Sequence, residues 1–414
     1  MKEKINLLIS IGLGAILGWI LGFLRLPALE NKFSFSLGFI ACLTIILLGF
    51  LIVHVWNKTA NSSTFKKKTV RSISTLSLIL LGGFASSFLF FQQNKFFKIQ
   101  KEQLNSKLAK QFELEASTRK SNSLILINNL LDKIQNELNS NPKRILSEET
   151  IERITTLNYS FEPYRYFKGE KFSKKKWSPE RGQLLLSLTK MKIDSSSFNY
   201  LKSKNSFFGA DLSNANLVGA DLSHVDLREA LLDHANLTGA NLNQATLEKA
   251  SLQKVNLSDA TLNGINLKNA EMQWTEFQAA ELIGAFLNGA NMSNSKLRKV
   301  NLSRADLRWA NLSNVFLNEA NLTNSNLLET DLSRANLKNA DFTGANLITT
   351  VLIGANLKGA NLTNANLLAA KIDENWLEKL ETWQVTGAKE IQASYKIGGE
   401  ALPQYKFRLN KIKK

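Results

Sequence analysis

From Phe207 to Ile372 every fifth residue is apolar, with no break in register: Phe207, Leu212, Leu217, Leu222, Leu227 and so on to Leu362, Leu367 and Ile372, 34 repeats in all. Two positions before each centre stands a small residue, most often Ala (Ala210, Ala215, Ala310), otherwise Val225, Ile265, Ser295 or Thr330. Between the two usually lies Asn or Asp. A period of five fits neither the helical 3.6 nor the strand period of 2, so the segment is a repeat architecture of its own. It predicts a solenoid that turns a corner every five residues, four sides closing a coil of 20. Centre and small residue point inward, and backbone groups pair with the next coil about 4.8 Å away. Eight and a half coils make a column roughly 40 Å long. Ala is required because a second Leu on each side would overfill the interior. Each fully buried Leu contributes about 2 kcal/mol.

Upstream, three apolar stretches at 5–24, 35–56 and 72–91 contain no acidic or basic side chain. Each is about 20 residues, enough to cross about 30 Å of hydrocarbon, so residues 1–91 read as a three-helix transmembrane region. A signal peptide fits the first stretch poorly, because no small-residue cleavage site follows it and two further spans do. Lys and Arg near the span ends tie at seven on each side, so the positive-inside rule sets no orientation. Residues 92–204 hold 22 basic and 12 acidic side chains. That excess suits the neighbourhood of an anionic cytoplasmic leaflet and places the column in the cytoplasm. Gly14, Gly18 and Gly22 fall four apart on one face of the first span, a surface for close helix packing within the chain or between copies.

Between membrane and column, 92–204 reads as a basic helical stalk and adaptor. Phe97, Leu104, Leu108 and Phe112 recur at helical spacing, and a second run follows in Leu124, Ile127, Leu131, Ile134 and Leu138, ended by Asn141-Pro142. Ser147 caps a helix with Glu148 and Glu149 in its first turn, and Ser178-Pro179-Glu180 starts another. This adaptor is expected to dock on the first coil. At the far end, 373–414 reads as a cap that covers the open edge of the last coil. Asp373 is the expected N-cap of a helix carrying Trp376, Leu377, Leu380 and Trp383 and stopped by Gly387; 395–397 and 404–409 alternate like short strands, lying against the adaptor or loose.

The column, 205–372, resembles the pentapeptide repeat family in motifs such as Ala-Asp-Leu-Ser-Asn from Ala210, Ala-Asn-Leu-Thr-Gly from Ala235 and Ala-Asn-Leu-Lys-Gly from Ala355. The resemblance implies a right-handed quadrilateral β-helix and says little about activity. Departures are mild: Met272 and Met292 at centres, Asn205 at a small-residue position, and Lys296, Phe286 and Phe316 where Asn or Asp is usual. They mark a candidate surface patch. The expected chain is thus a bacterial inner-membrane or internal-membrane protein built from transmembrane helices, helical adaptor, repeat column and helical cap.

Charge sharpens this picture more than composition does. The net charge is +17, yet the column holds 13 basic and 15 acidic residues and the tail 8 and 6, so all net positive charge lies in 1–204. Loops facing lipid headgroups account for it better than nucleic-acid binding, for which Lys174-Lys175-Lys176-Trp177 is the best local candidate. Cys42 is the single cysteine, and His54, His224 and His234 are the only histidines. His224 and His234, ten residues apart, fall on opposite sides of a square coil. No phosphate loop, nucleophile elbow or zinc motif occurs, and the recurring carboxylates, such as Asp211, Asp221 and Asp331, belong at corners bonding backbone. No cofactor or metal is expected.

Arg298, Lys338 and Lys358 each follow a centre by one residue and differ by multiples of 20, so they stack on one side with Asn318 between the first two. Lys299, Arg304, Arg308 and Trp309 are expected to widen that stripe into a basic, partly aromatic face for an acidic protein surface or anionic lipid. The function expected is a membrane-tethered, non-catalytic scaffold for an unidentified protein partner. An accessory subunit of a membrane transporter or enzyme complex is the alternative. Mimicry of DNA toward type II topoisomerases, which the resemblance also raises, goes with a strongly acidic column, and this one is near neutral.

Overall fold

The computed structural model describes residues 63–168, 171–173, 175–399 and 407–412. The expected spans at 5–24 and 35–56, and the stripe of Gly14, Gly18 and Gly22, lie outside the described residues. The chain divides into two compact units, Met1–Lys107 and Leu108–Lys414. Helix α1 runs Ser63–Ser140 and contains the third apolar stretch as helical backbone. Among the residues whose side chains are described, no helix is long and apolar enough to cross a membrane. The two runs expected as separate helices before Asn141 are one helix, because nothing between 92 and 140 breaks it: the stretch has neither Gly nor Pro.

In the second unit, Ile127, Leu130, Ile134 and Leu138 of α1 join one apolar core with α2 (Glu148–Ser160) and α3 (Pro179–Lys190). Both expected caps are present. The Ser147 hydroxyl accepts from the Thr150 amide at 3.3 Å, and Ser178 from the Arg181 amide at 3.2 Å. A short two-stranded ribbon, β1 (Phe167–Lys168) with β2 (Lys171–Phe172), separates these helices. A further helix, α4 (Ser195–Lys204), is capped by Asp194 and leads into the column. With only Phe198 and Leu201 buried among its apolar side chains, it is too short to show a period.

The column follows the five-residue pattern throughout. Parallel bridges join residues 20 apart from Ser206 with Asp226 to Val351 with Lys371, so four faces close each coil. Leu212, Leu262, Leu312 and Leu362 are all at most 2% exposed. Each corner is a tight turn in which the second residue after the centre has positive φ, from Gly209 at 66° to Ala369 at 57°. The next amide closes the turn, as from Ala215 to the Leu212 carbonyl at 3.0 Å. Asn and Asp before the centres brace the corners: Asp341 Oδ1 accepts from the Thr343 amide at 2.9 Å, and Asn326 Oδ1 takes the Asn346 amide nitrogen one coil on at 3.0 Å. Where the inward small residue is polar it is satisfied, as Thr275, Thr330 and Thr350 each donate to a carbonyl at 2.7 Å.

Both ends are closed. At the start, Ser178 pairs in parallel with Ala210, its amide donating to the Gly209 carbonyl at 2.7 Å and its carbonyl accepting from Asp211 at 2.9 Å. Gly182 of α3 then lies so close that a Cβ there would sit 1.9 Å from the Asp211 carbonyl oxygen. Lys202 of α4 is buried and bonds Asp221 at 2.8 Å and Ser223 at 3.0 Å. Trp177, from the basic run read as a nucleic-acid candidate, is half-buried and donates its indole N–H to the Glu229 carbonyl at 3.2 Å. It therefore serves docking.

The far cap departs from expectation in three respects. Asp373 is not an N-cap: its carboxylate accepts from the Gly354 amide at 3.0 Å, and helix α5 (Trp376–Thr382) begins after Asn375. Gly387 does not stop that helix; at φ 89° it precedes a second one, α6 (Ala388–Ser394). The strands are also placed by the column. β3 (Lys371–Ile372) and β4 (Tyr395–Gly399) flank β5 (Phe407–Lys411) in one antiparallel sheet, and Leu409 exchanges backbone bonds with Ala369 and Ala370 at 2.7 and 3.0 Å. Trp376 and Leu380 are fully buried under this cap.

Candidate interaction face of the column

The faces are numbered from the first coil. The first carries Phe207 and every twentieth residue after it, the second Leu212, the third Leu217 and the fourth Leu222. Outward positions on each are the residue before a centre, the residue after it and the corner. Arg298, Lys338 and Lys358 fall on the third face as expected, with Lys299 at its edge. Arg308 and Trp309 do not join them. Ten residues beyond Arg298 and Lys299 is half a 20-residue coil, so both belong to the opposite, first face; Arg304 sits at the corner between the fourth and first. The seven residues read as one surface are therefore split between opposite sides.

The third face nevertheless is basic and aromatic. Lys296 stands in the Asn ladder and bridges to Phe316 one coil on, and Phe316 is 50% exposed. Trp274, 58% exposed, and Arg334 occupy the corner on its other edge, 60 residues apart and hence in line. Six cations, Lys296, Arg298, Lys299, Arg334, Lys338 and Lys358, thus share about 20 Å of column with Glu276 and Glu319. Spacing by twenties could have found Phe316, Trp274 and Arg334, had it been applied to corners and ladder positions as well as to residues after centres.

Part of this charge is internally matched. Lys296 pairs with Glu276 at 2.6 Å, Arg298 with Glu319 at 3.0 Å and Lys299 with the same carboxylate at 3.7 Å. The hydrogen bond from Arg298 holds the Glu319 carboxyl below its ordinary range. Arg334, Lys338 and Lys358 make no ion pair among the described residues. Asn318 Oδ1, between Arg298 and Lys338, is buried without a partner. On the first face, Arg308 instead grips Asp306 through two bonds of 2.8 and 2.7 Å and stacks on Trp309 at 5.2 Å.

The recurring carboxylates singled out by sequence do structural work. Asp221 is held by Lys202, Asp331 accepts from the Ser333 amide at 2.9 Å, and the Tyr166 hydroxyl bonds Asp211. Burial, with Asp211 close by, pushes that hydroxyl well above its ordinary value. Among the described residues no cluster of His, Cys, Asp and Glu could hold a metal ion.

A family model of pentapeptide repeats matches this column in eight copies, across 206–269 and 275–367. The chain belongs to the pentapeptide repeat family. Among solved structures it is similar to HetL, a pentapeptide repeat protein involved in heterocyst differentiation regulation in the cyanobacterium Nostoc sp. strain PCC 7120. Identity is 30% over 44% of this chain and 98% of that one, with a TM-score of 0.22. A second Nostoc PCC 7120 pentapeptide repeat protein, alr5209, shares 35% identity over 23% of this chain and 83% of its own, TM-score 0.21. QnrB1, a plasmid-mediated fluoroquinolone resistance protein, is 18% identical over 44% of this chain and 88% of its own, TM-score 0.27. No curated protein matches the chain.

Proposed function

We propose that this pentapeptide repeat protein is a membrane-tethered, non-catalytic scaffold whose third face recruits a protein partner with an acidic surface. The observation that carries this reading is the placement of six cations and two exposed aromatic rings on one face of a near-neutral column. Trp274 and Phe316 leave half or more of their surface to solvent, and the unpaired Arg334, Lys338 and Lys358 supply approach and register. The adaptor and the cap occupy the two ends of the column, which supports lateral use of its faces. The apolar stretches at 5–24, 35–56 and 72–91 supply the tether, in a bacterial inner or internal membrane with the column on the cytoplasmic side. A strongly cationic face speaks against mimicry of DNA.

A photo-crosslinking side chain at Phe316, in the full-length chain in its own membranes, tests the reading. It should capture an acidic partner that the same probe at Thr323, on the fourth face, does not. Equal capture from both positions would remove the third face as the site.

A further inference from the structure

The first face carries a feature the scaffold reading leaves unused. Leu328, Ile348 and Leu368 follow successive centres on that face and form an aliphatic ladder where other faces place mostly Ser, Thr, Asn, Lys or Arg. Trp309, 52% exposed, stands on one rim of this face, and its amide bonds the Leu328 carbonyl at 3.0 Å. On the other rim stands Arg304, exposed and without an ion pair among the described residues. We propose that the first face pairs with the first face of a second copy of this chain, the two columns lying side by side and parallel.

Self-complementarity fixes this arrangement. A two-fold axis parallel to the columns sets each rim against the opposite rim of the partner at the same height. Trp309 then meets Arg304 of the second copy, offset by a quarter of a coil or about 1.2 Å, and the contact occurs twice. Within the face, the residue before each centre meets the residue after the matching centre. Asp306 faces Arg308, Asn266 faces Lys268, and the aliphatic ladders interdigitate beside Asn326 and Asn346. No like charges occupy directly opposed positions along these coils, and Arg308, which shares the Trp309 ring with Arg304 of the second copy, is matched by Asp306. An antiparallel pair sets each rim against itself, so Trp309 and Arg304, which stand on opposite rims, never meet. The third face cannot substitute, because six cations would face six.

Six coils by one face width cover on the order of 400 Å² per chain, about half of what a standard stable interface buries. The dimer is therefore concentration-dependent and weak when dilute. Because first and third faces lie on opposite sides, pairing leaves both basic faces outward. One dimer then offers two equivalent docking surfaces. The inference does not depend on the third face binding anything.

The test uses full-length chains with Cys42→Ser, carrying either Trp309→Cys or Arg304→Cys, coexpressed with different tags and treated in cells with a short bis-maleimide. The mixture should give a cross-linked dimer bearing both tags, at least several-fold above either variant alone. Ile348→Glu in both chains should abolish it, while a mixture of Arg298→Cys and Lys338→Cys on the third face should give none. Three results would overturn the proposal: no cross-link from the mixture, one as strong from Trp309→Cys alone, or one insensitive to Ile348→Glu.

Discussion

At the scale of single residues, the column repeats one bargain: every corner adopts positive φ, which side chains other than Gly and Asn adopt at a cost of about 1 kcal/mol. Gly and Asn fill many corners, but Trp274 and Trp309 do not belong to that class, and neither is buried in return. Trp309→Asn should therefore raise stability by about 0.5–1 kcal/mol, read as a higher melting temperature, while removing the rim contact of the proposed dimer. Unchanged or lowered stability would mean the indole is packed more usefully than its exposure suggests. Inward positions behave oppositely. Leu312 is fully buried, and Leu312→Asp should cost on the order of 4 kcal/mol and expose neighbouring coils to protease. Wild-type resistance would refute the inward assignment.

Among the elements, the junction between adaptor and first coil carries one response of stability to pH. Burial works to raise the Asp221 carboxyl, but bonds from Lys202 and Ser223 outweigh it and hold the folded value below the ordinary one. A depressed carboxylate stabilises above its unfolded pKa of about 3.9 and loses that contribution as pH falls through the folded value. Docking should accordingly be constant at pH 5 and above and loosen only below about pH 4, measured as protease cleavage between 161 and 204. Loosening near pH 6 would point to another group. Much of this level was legible beforehand: the five-residue period gave the column, and Ser147 and Ser178 gave two helix starts. What was not legible depended on tertiary partners. Asp373 looks like a cap by local sequence but is claimed by Gly354, and α4 holds its place through Lys202 rather than through a period. The basic face is half visible in sequence: a spacing of twenty stacks Arg298, Lys338 and Lys358, whereas Arg308 and Trp309 are near them only along the chain.

For the whole molecule, the account joins a tether, a rigid column closed at both ends and two opposite working faces. The three proposed spans would put Lys68 and Lys414 on opposite sides of the membrane, so reporters fused after these residues should report opposite compartments. The same side for both would leave an even number of spans. The central claim, that the third face recruits an acidic partner, is tested most directly by reversing its charge. Arg298→Glu, Lys338→Glu and Lys358→Glu together change exposed positions that seldom cost more than about 0.5 kcal/mol each, with somewhat more at Arg298, which loses Glu319, so the variant should stay folded with a melting temperature only modestly lowered. Co-purification of the partner captured through Phe316 should then be lost from the triple variant; co-purification at the wild-type level would contradict the account.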